Sequence, residues 1–298
     1  MMLRNLLLGT VLIVSGQAQA AINVFACEPE WAALAAELGG RQLEIYSATT
    51  ARQDPHHIQA RPALIAKARQ AELLICTGAE LETGWLPLLL RKAGNARIQP
   101  GQPGHFVASD FVDLLEKPEA ADRSHGDIHA SGNPHIHTDP ANILAIAGQL
   151  QQRLIQIDPD NAEVYTQRYK LFASEWQQAV DNWKERTSVL NGVPVVVHHD
   201  YWSYLLHWSG LVKVATLEPL PGISPSTSHL ARLRQELEIQ HPRMIIHTNY
   251  MNDRPVLWLA EQTGLPVVTL PATVDYQAGE SLHHWFENLI DLLLGDVQ

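Results

Sequence analysis

The stretch from Asn161 to Leu190 constrains the fold most. It carries Val164, Tyr165, Tyr169, Leu171, Phe172, Trp176, Val180 and Trp183 at helical spacing. Asp158-Pro159-Asp160, just ahead of it, reads as a stop followed by an N-cap signal. A single helix of this length runs about 45 Å at 1.5 Å per residue. That exceeds what one small lobe needs, whereas a rigid spine joining two lobes accounts for it. The chain length of 298 residues points the same way, since it exceeds one typical core.

Both sides of this stretch alternate short apolar runs with helical patterns. Before it, strands are expected at Ile22–Cys27, Leu43–Tyr46 and Leu73–Cys76, with helices at 30–38, 62–70, 86–93 and 140–157. After it, strands are expected at 195–197, 211–216, 244–247 and 267–270, with helices at 201–208, 226–239, 255–263 and 282–294. A β-α-β-α rhythm predicts parallel sheets covered by helices, with ligands held beyond the carboxyl ends of the strands. The expected fold is therefore α/β: two lobes, each a parallel sheet flanked by helices, joined by one long spine helix. The divisions are residues 21–157, 158–190 and 191–298.

Residues 1–20 read as a cleaved secretory signal, with Arg4, an apolar core from Leu6 to Val14, and Ala18-Gln19-Ala20 at the cut. The apolar run is too short to span a bilayer, which needs about 20 residues. No Cys follows the cut, which argues against a lipid anchor. The net charge of −11 becomes about −12 without Arg4, which disfavours nucleic acid as a partner. Cys27 and Cys76 each end an apolar run. If those strands are neighbours in an oxidising compartment, a disulfide and two buried thiols are about equally good readings.

With 15 His against 2 Cys, any metal site is rich in nitrogen and oxygen. Three histidines sit in or beside short Pro- or Asp-bearing stretches: His56 in Gln-Asp-Pro-His-His, His135 in Gly-Asn-Pro-His-Ile-His-Thr-Asp-Pro, and His199 in Val-Val-Val-His-His-Asp-Tyr-Trp. Residues 116–138 form a long polar loop with His125, His129, His135 and His137.

These stretches resemble the zinc/manganese receptors of bacterial ABC importers. Asp54-Pro55-His56 looks like the family's Asp-Pro-His. Asn133-Pro134-His135 with Asp139-Pro140 looks like its Asp-Pro-His-x-Trp-x-Asp-Pro, with Asn133 for the first Asp and His137 for the Trp. His199-Asp200-Tyr201-Trp202 with Tyr204-Leu205 looks like its His-x-Ala-Phe-x-Tyr-Leu. The resemblance runs in order over nearly the whole mature chain. It implies His56, His135 and His199 as metal ligands in a cleft between the lobes. His57, His137 and His198 are then either neighbours that support the ligands or simply exposed.

For the fourth ligand, the family's Asp after the last strand has no direct counterpart near Leu270-Pro271-Ala272. Asp275, His247 and a water remain open. Three imidazoles favour Zn²⁺ over Mn²⁺, which prefers more oxygen. The resemblance therefore implies a monomeric periplasmic zinc receptor that delivers its ion to an ABC importer permease. A manganese receptor of the same fold is one alternative. An exported zinc hydrolase is another, since three His plus an open position is also a catalytic pattern. No His-Glu-x-x-His helix supports the hydrolase. A purely structural or adhesin-like exported protein is the third.

Overall fold

In the computed structural model, residues 20–118 and 129–295 are described. The signal-like residues 1–19 and His125 lie outside them. The N-terminal lobe runs β1 (Ile22–Ala26), α1 (Pro29–Gly39), β2 (Leu43–Ser47), α2 (Pro62–Gln70), β3 (Leu73–Cys76), α3 (Leu86–Ala93), β4 (His105–Val107) and α4 (Pro140–Ile157). Then comes α5 (Ala162–Arg186). The C-terminal lobe runs β5 (Pro194–Val197), α6 (Ser203–Ser209), β6 (Val212–Thr216), α7 (Thr227–Gln240), β7 (Met244–Thr248), α8 (Arg254–Thr263), β8 (Val267–Leu270) and α9 (Leu282–Gly295).

Each lobe holds one four-stranded parallel sheet. The orders are β2-β1-β3-β4 and β6-β5-β7-β8, so the second lobe repeats the winding of the first. The central strands are buried on both faces, which is why Leu73-Leu74-Ile75-Cys76 and Val195-Val196-Val197 read as unbroken apolar runs. Gly94, Gly210 and Gly264 end α3, α6 and α8 in left-handed conformation, where other residues would be strained. Strand β4 was not foreseen: three residues between turns carry too little periodicity to register. Among the described residues, no helix is long and apolar enough to cross a membrane.

The outer faces of the two sheets are covered separately, by α2 and α3 in one lobe and α7 and α8 in the other. Their inner faces are not separate. One continuous apolar core runs from Val24, Trp31 and Ile75 through Trp176 and Trp183 of α5 to Val197, Ile246 and Trp285. Along α5, Tyr165, Phe172, Trp176, Ala179 and Trp183 form the buried stripe. Hydrogen bonds fix this helix at both ends. Arg168 Nε donates to Glu37 O at 2.8 Å, closing the carboxyl end of α1, and Trp176 Nε1 donates to Pro140 O at 2.8 Å. Trp183 Nε1 donates to Glu287 Oε2 of α9 at 2.6 Å, and Arg186 pairs with Glu287 and Asp291.

Cys27 and Cys76 are joined in a disulfide between the ends of β1 and β3. The two strands are direct neighbours in the sheet, which settles the choice that the sequence left open.

Candidate metal centre

The carboxyl ends of both sheets face one another, and the loops that leave them carry the candidate residues. His56 follows β2 in a short 3₁₀ turn, Pro55–His57. Asp54 caps that turn. Its Oδ1 accepts the His56 backbone N–H at 2.9 Å and lies 2.8 Å from His56 Nδ1. One carboxylate therefore fixes both the backbone and the ring. Burial favours the neutral acid, but the hydrogen bonds and charge of His56, with the charge of His57, together outweigh it and lower the Asp54 pKa. Trp85 Nε1 donates to Pro55 O at 2.9 Å, anchoring the turn from behind.

The second turn uses the same device with one difference. Asn133 Oδ1 accepts the His135 N–H at 2.9 Å, as Asp54 does for His56. Its amide Nδ2 donates to Asp200 O of the other lobe at 2.6 Å and to Glu116 Oε2 of its own lobe at 2.9 Å. Asn133 thus replaces the expected Asp in backbone capping while tying the turn to the C-terminal lobe. It leaves the His135 ring without a carboxylate of its own, and neither ring nitrogen of His135 has a hydrogen-bond partner. The ring is buried and stacks on Tyr201, centroids 3.9 Å apart. Burial, then the charges of His199 and His56, push its pKa well below the ordinary value, so it is a neutral imidazole.

His199 leaves β5 in extended conformation. Its Nδ1 lies 2.7 Å from Glu218 Oε2, just past the end of β6. Burial alone would lower the His199 pKa. The hydrogen bond and charge of Glu218 outweigh burial and raise it. In His56 and His199 a carboxylate therefore takes Nδ1 and leaves Nε2 for a ligand.

The three rings are adjacent: centroids are 5.8 Å apart for His56 and His135, and 5.7 Å for His135 and His199. A cavity of about 220 Å³ opens on two of them, His135 and His199, and is also lined by His129, Glu116 and Asp200 among others, while His56 reaches it through its contact with His129. His129 comes from the polar loop. Its Nε2 lies 3.2 Å from His56 Nε2. Two nitrogens each about 2.05 Å from a tetrahedral ion stand about 3.3 Å apart, so this pair already has ligand spacing. Glu80 holds the loop, accepting the Ala130 N–H at 2.9 Å. Glu80 sits in a left-handed run with Gly78 and Ala79, at φ 68°.

The remaining candidates lie elsewhere. Asp275 turns its side chain onto the Ala278 N–H as a cap. His247 Nδ1 lies 3.1 Å from His198 Nδ1, and the two rings stack on each other. Neither Asp275 nor His247 lines the cavity. Burial, then His247, lowers the His198 pKa to about 4. The His57 side chain is 69% exposed. His137 is buried, with Nε2 3.2 Å from both Ala272 O and the Tyr201 hydroxyl.

Nothing in the sequence pointed to Glu218, whose role depends on a neighbouring strand, or to His129 over its loop neighbours. One other cluster of metal-binding atom types stands within 4.8 Å among the described residues: Cys27, Cys76 and Glu82. Its sulfurs are bonded to each other, which removes them as thiolate ligands. No three histidines stand that close, so closing a shell about 2 Å in radius draws the rings inward.

Comparison with known proteins identifies a family and similar folds. The family described as "Zinc-uptake complex component A periplasmic" (ZnuA) matches residues 24–293. The metal ABC transporter substrate-binding lipoprotein SsaB of Streptococcus sanguinis is 23% identical over 239 residues, covering 77% of this chain and 73% of its own. Other relatives are named for iron and for manganese. A crystal structure of ZnuA superposes with TM-score 0.75 at 19% identity, over 93% of this chain and all of that one. The Mn²⁺ complex of FpvC from Pseudomonas aeruginosa gives 0.77 at 20%, over 93% and 98%. These proteins are substrate-binding components and not enzymes, so the hydrolase reading falls away. The chain belongs to the ZnuA family, the metal-binding substrate-binding proteins of ABC importers.

Proposed function

We propose that the protein is exported, captures Zn²⁺ and delivers it to the permease of an ABC importer. The observation that carries the choice of metal is the donor set. His56, His135 and His199 offer imidazole nitrogen, and the nearby carboxylates Asp54 and Glu218 are engaged on ring Nδ1 atoms. A nitrogen-rich shell suits zinc, whereas manganese prefers oxygen. The spacing of His129 from His56 supports His129 as the fourth ligand, ahead of Asp275, His247 or water.

Two of the rings are pre-oriented by charge-assisted hydrogen bonds, so little ordering remains for the ion to impose. His135 lies between the other two and is neutral, ready to donate without first losing a proton.

Elemental analysis of protein purified without added metal, followed by competition titration of Zn²⁺ against Mn²⁺, tests the proposal. One tightly held zinc per chain is expected. A chain that takes up manganese and holds it against equimolar zinc would overturn it.

A further inference from the structure

The two metal-facing turns differ in one respect that leaves a gap in the site. His56 and His199 each have a carboxylate on Nδ1, and His135 has none, because Asn133 serves only its backbone. A ligand histidine almost always gives its second nitrogen to a carboxylate, a carbonyl or a water.

A second, smaller chamber touches His135 and is lined from both lobes. Glu28, Glu30, His135, His137, Tyr201 and Thr273 are among its lining residues. Its free volume is about 10 Å³, which is the room one water needs. Three of its lining residues carry buried polar atoms without a hydrogen-bond partner: Glu28 Oε1, His137 Nδ1 and both nitrogens of His135. His135 and Glu28 are 1% and 2% exposed. Buried polar groups are seldom left unsatisfied, and several facing one small chamber share a solution.

The other walls are already engaged. Glu30 Oε2 accepts from Thr273 Oγ1 at 2.6 Å, and its Oε1 lies 3.4 Å from His137 Nδ1. Tyr201 OH donates to Ala272 O at 3.1 Å. Glu28 is held firmly from its other oxygen, where Oε2 accepts from Thr77 N at 3.2 Å and Thr77 Oγ1 at 3.1 Å. It therefore presents Oε1 from a fixed position.

We propose that Glu28 is the positioning residue of His135, acting through a single water in this chamber, so that one imidazole nitrogen faces the metal cavity and the other is held by the Glu28 relay. This rests on the proposed role of His135 as a ligand. The carboxyl needs no negative charge for the role. Burial, then Glu82 and Glu30, raise the Glu28 pKa well above the usual range, and either form can bond a bridging water.

The test uses ¹⁵N-labelled full-length protein loaded with Zn²⁺. Long-range ¹H–¹⁵N spectra give the tautomer of His135, its signals assigned with His135→Ala. Wild type is expected to show one metal-bound nitrogen and one slowly exchanging N–H. Glu28→Gln keeps an oxygen in the chamber, so it should shift the His135 N–H signal while affinity falls less than about tenfold. Glu28→Leu removes the relay and should weaken Zn²⁺ binding about 10–100-fold. Asp158→Asn is the control, a buried carboxylate bonded to Tyr165 and Asn161 and outside the chamber, and should leave His135 unmoved.

An unmoved His135 signal in Glu28→Gln overturns the relay, even if Glu28→Leu does not fold. An equal shift in Asp158→Asn also overturns it. Loss of the metal-bound His135 signal from wild type itself would instead sink the ligand reading.

Discussion

Glu218 Oε2 stands 2.7 Å from His199 Nδ1 and also accepts the Gly222 N–H at 2.8 Å. One buried carboxylate thus joins a candidate ligand to the loop that carries Pro221 at the rim of the cavity. Glu218→Ala should weaken zinc binding about 10–100-fold, since the ring loses the group that sets its tautomer. Glu218→Gln should fall between the two. Competition titration against a chelator of known affinity measures both, and wild-type affinity in Glu218→Ala would remove Glu218 from the site.

Among the histidines the expected order is sharp. His56→Ala, His135→Ala and His199→Ala each remove a proposed donor and should lower affinity by at least about 100-fold, the upper end of what losing only an orienting partner does. His129→Ala should lower it less, because a water can fill a fourth position. His57→Ala and His198→Ala should change little: the first is exposed, and the second is stacked on His247. Isothermal titration with circular dichroism as a fold control reads the series. Equal losses at His56 and His57 would assign the wrong member of that pair.

Affinity should also depend on pH, in a direction the site fixes. The His199 pKa is raised, so in the metal-free protein this ring takes a proton before pH falls to about 6.5, the ordinary value. Zinc must displace that proton, so its affinity should begin to fall there as the pH drops. His135, held neutral by burial, contributes last.

In the metal-free protein the sign is opposite. The His199–Glu218 pair adds stability that is fully present below about 6.5 and lost as pH rises through the raised pKa. The rise in Tm on adding zinc should therefore be larger at pH 8 than at pH 5.5. An equal rise at both values would argue against histidine ligands.

The Cys27–Cys76 bridge spans 49 residues of chain. By loop-closure entropy, removing it as Cys27→Ala with Cys76→Ala should destabilise the lobe by about 4 kcal/mol. Chemical denaturation with and without reductant measures the difference. A reductant-insensitive midpoint in wild type would show that the bond is not formed in solution.

The architecture was legible because its signals are local and periodic. Apolar runs such as Leu73–Cys76 mark strands buried on both faces, and the aromatic stripe of α5 marks a helix too long for one lobe. The turns around His56 and His135 were legible for the same reason, since Asx-Pro-His is a self-contained cap. What sequence could not deliver were partnerships set by sheet order. Glu218 meets His199 because β6 lies beside β5, and Glu80 meets Ala130 across 50 residues. Asp275 looked available for the site because its distance along the chain is short. Its carboxylate is taken by the Ala278 N–H three residues on.

The continuous core beneath both sheets bears on how cargo leaves. Prising the halves apart would expose Trp176, Trp183, Trp285 and Phe286 together, each worth about 1.5–3 kcal/mol of burial. A wide clamshell motion is therefore expensive, and unloading falls to the short segments over the ion. The stretch bearing His129 is fastened by Glu80 through hydrogen bonds at the surface, which break and reform readily.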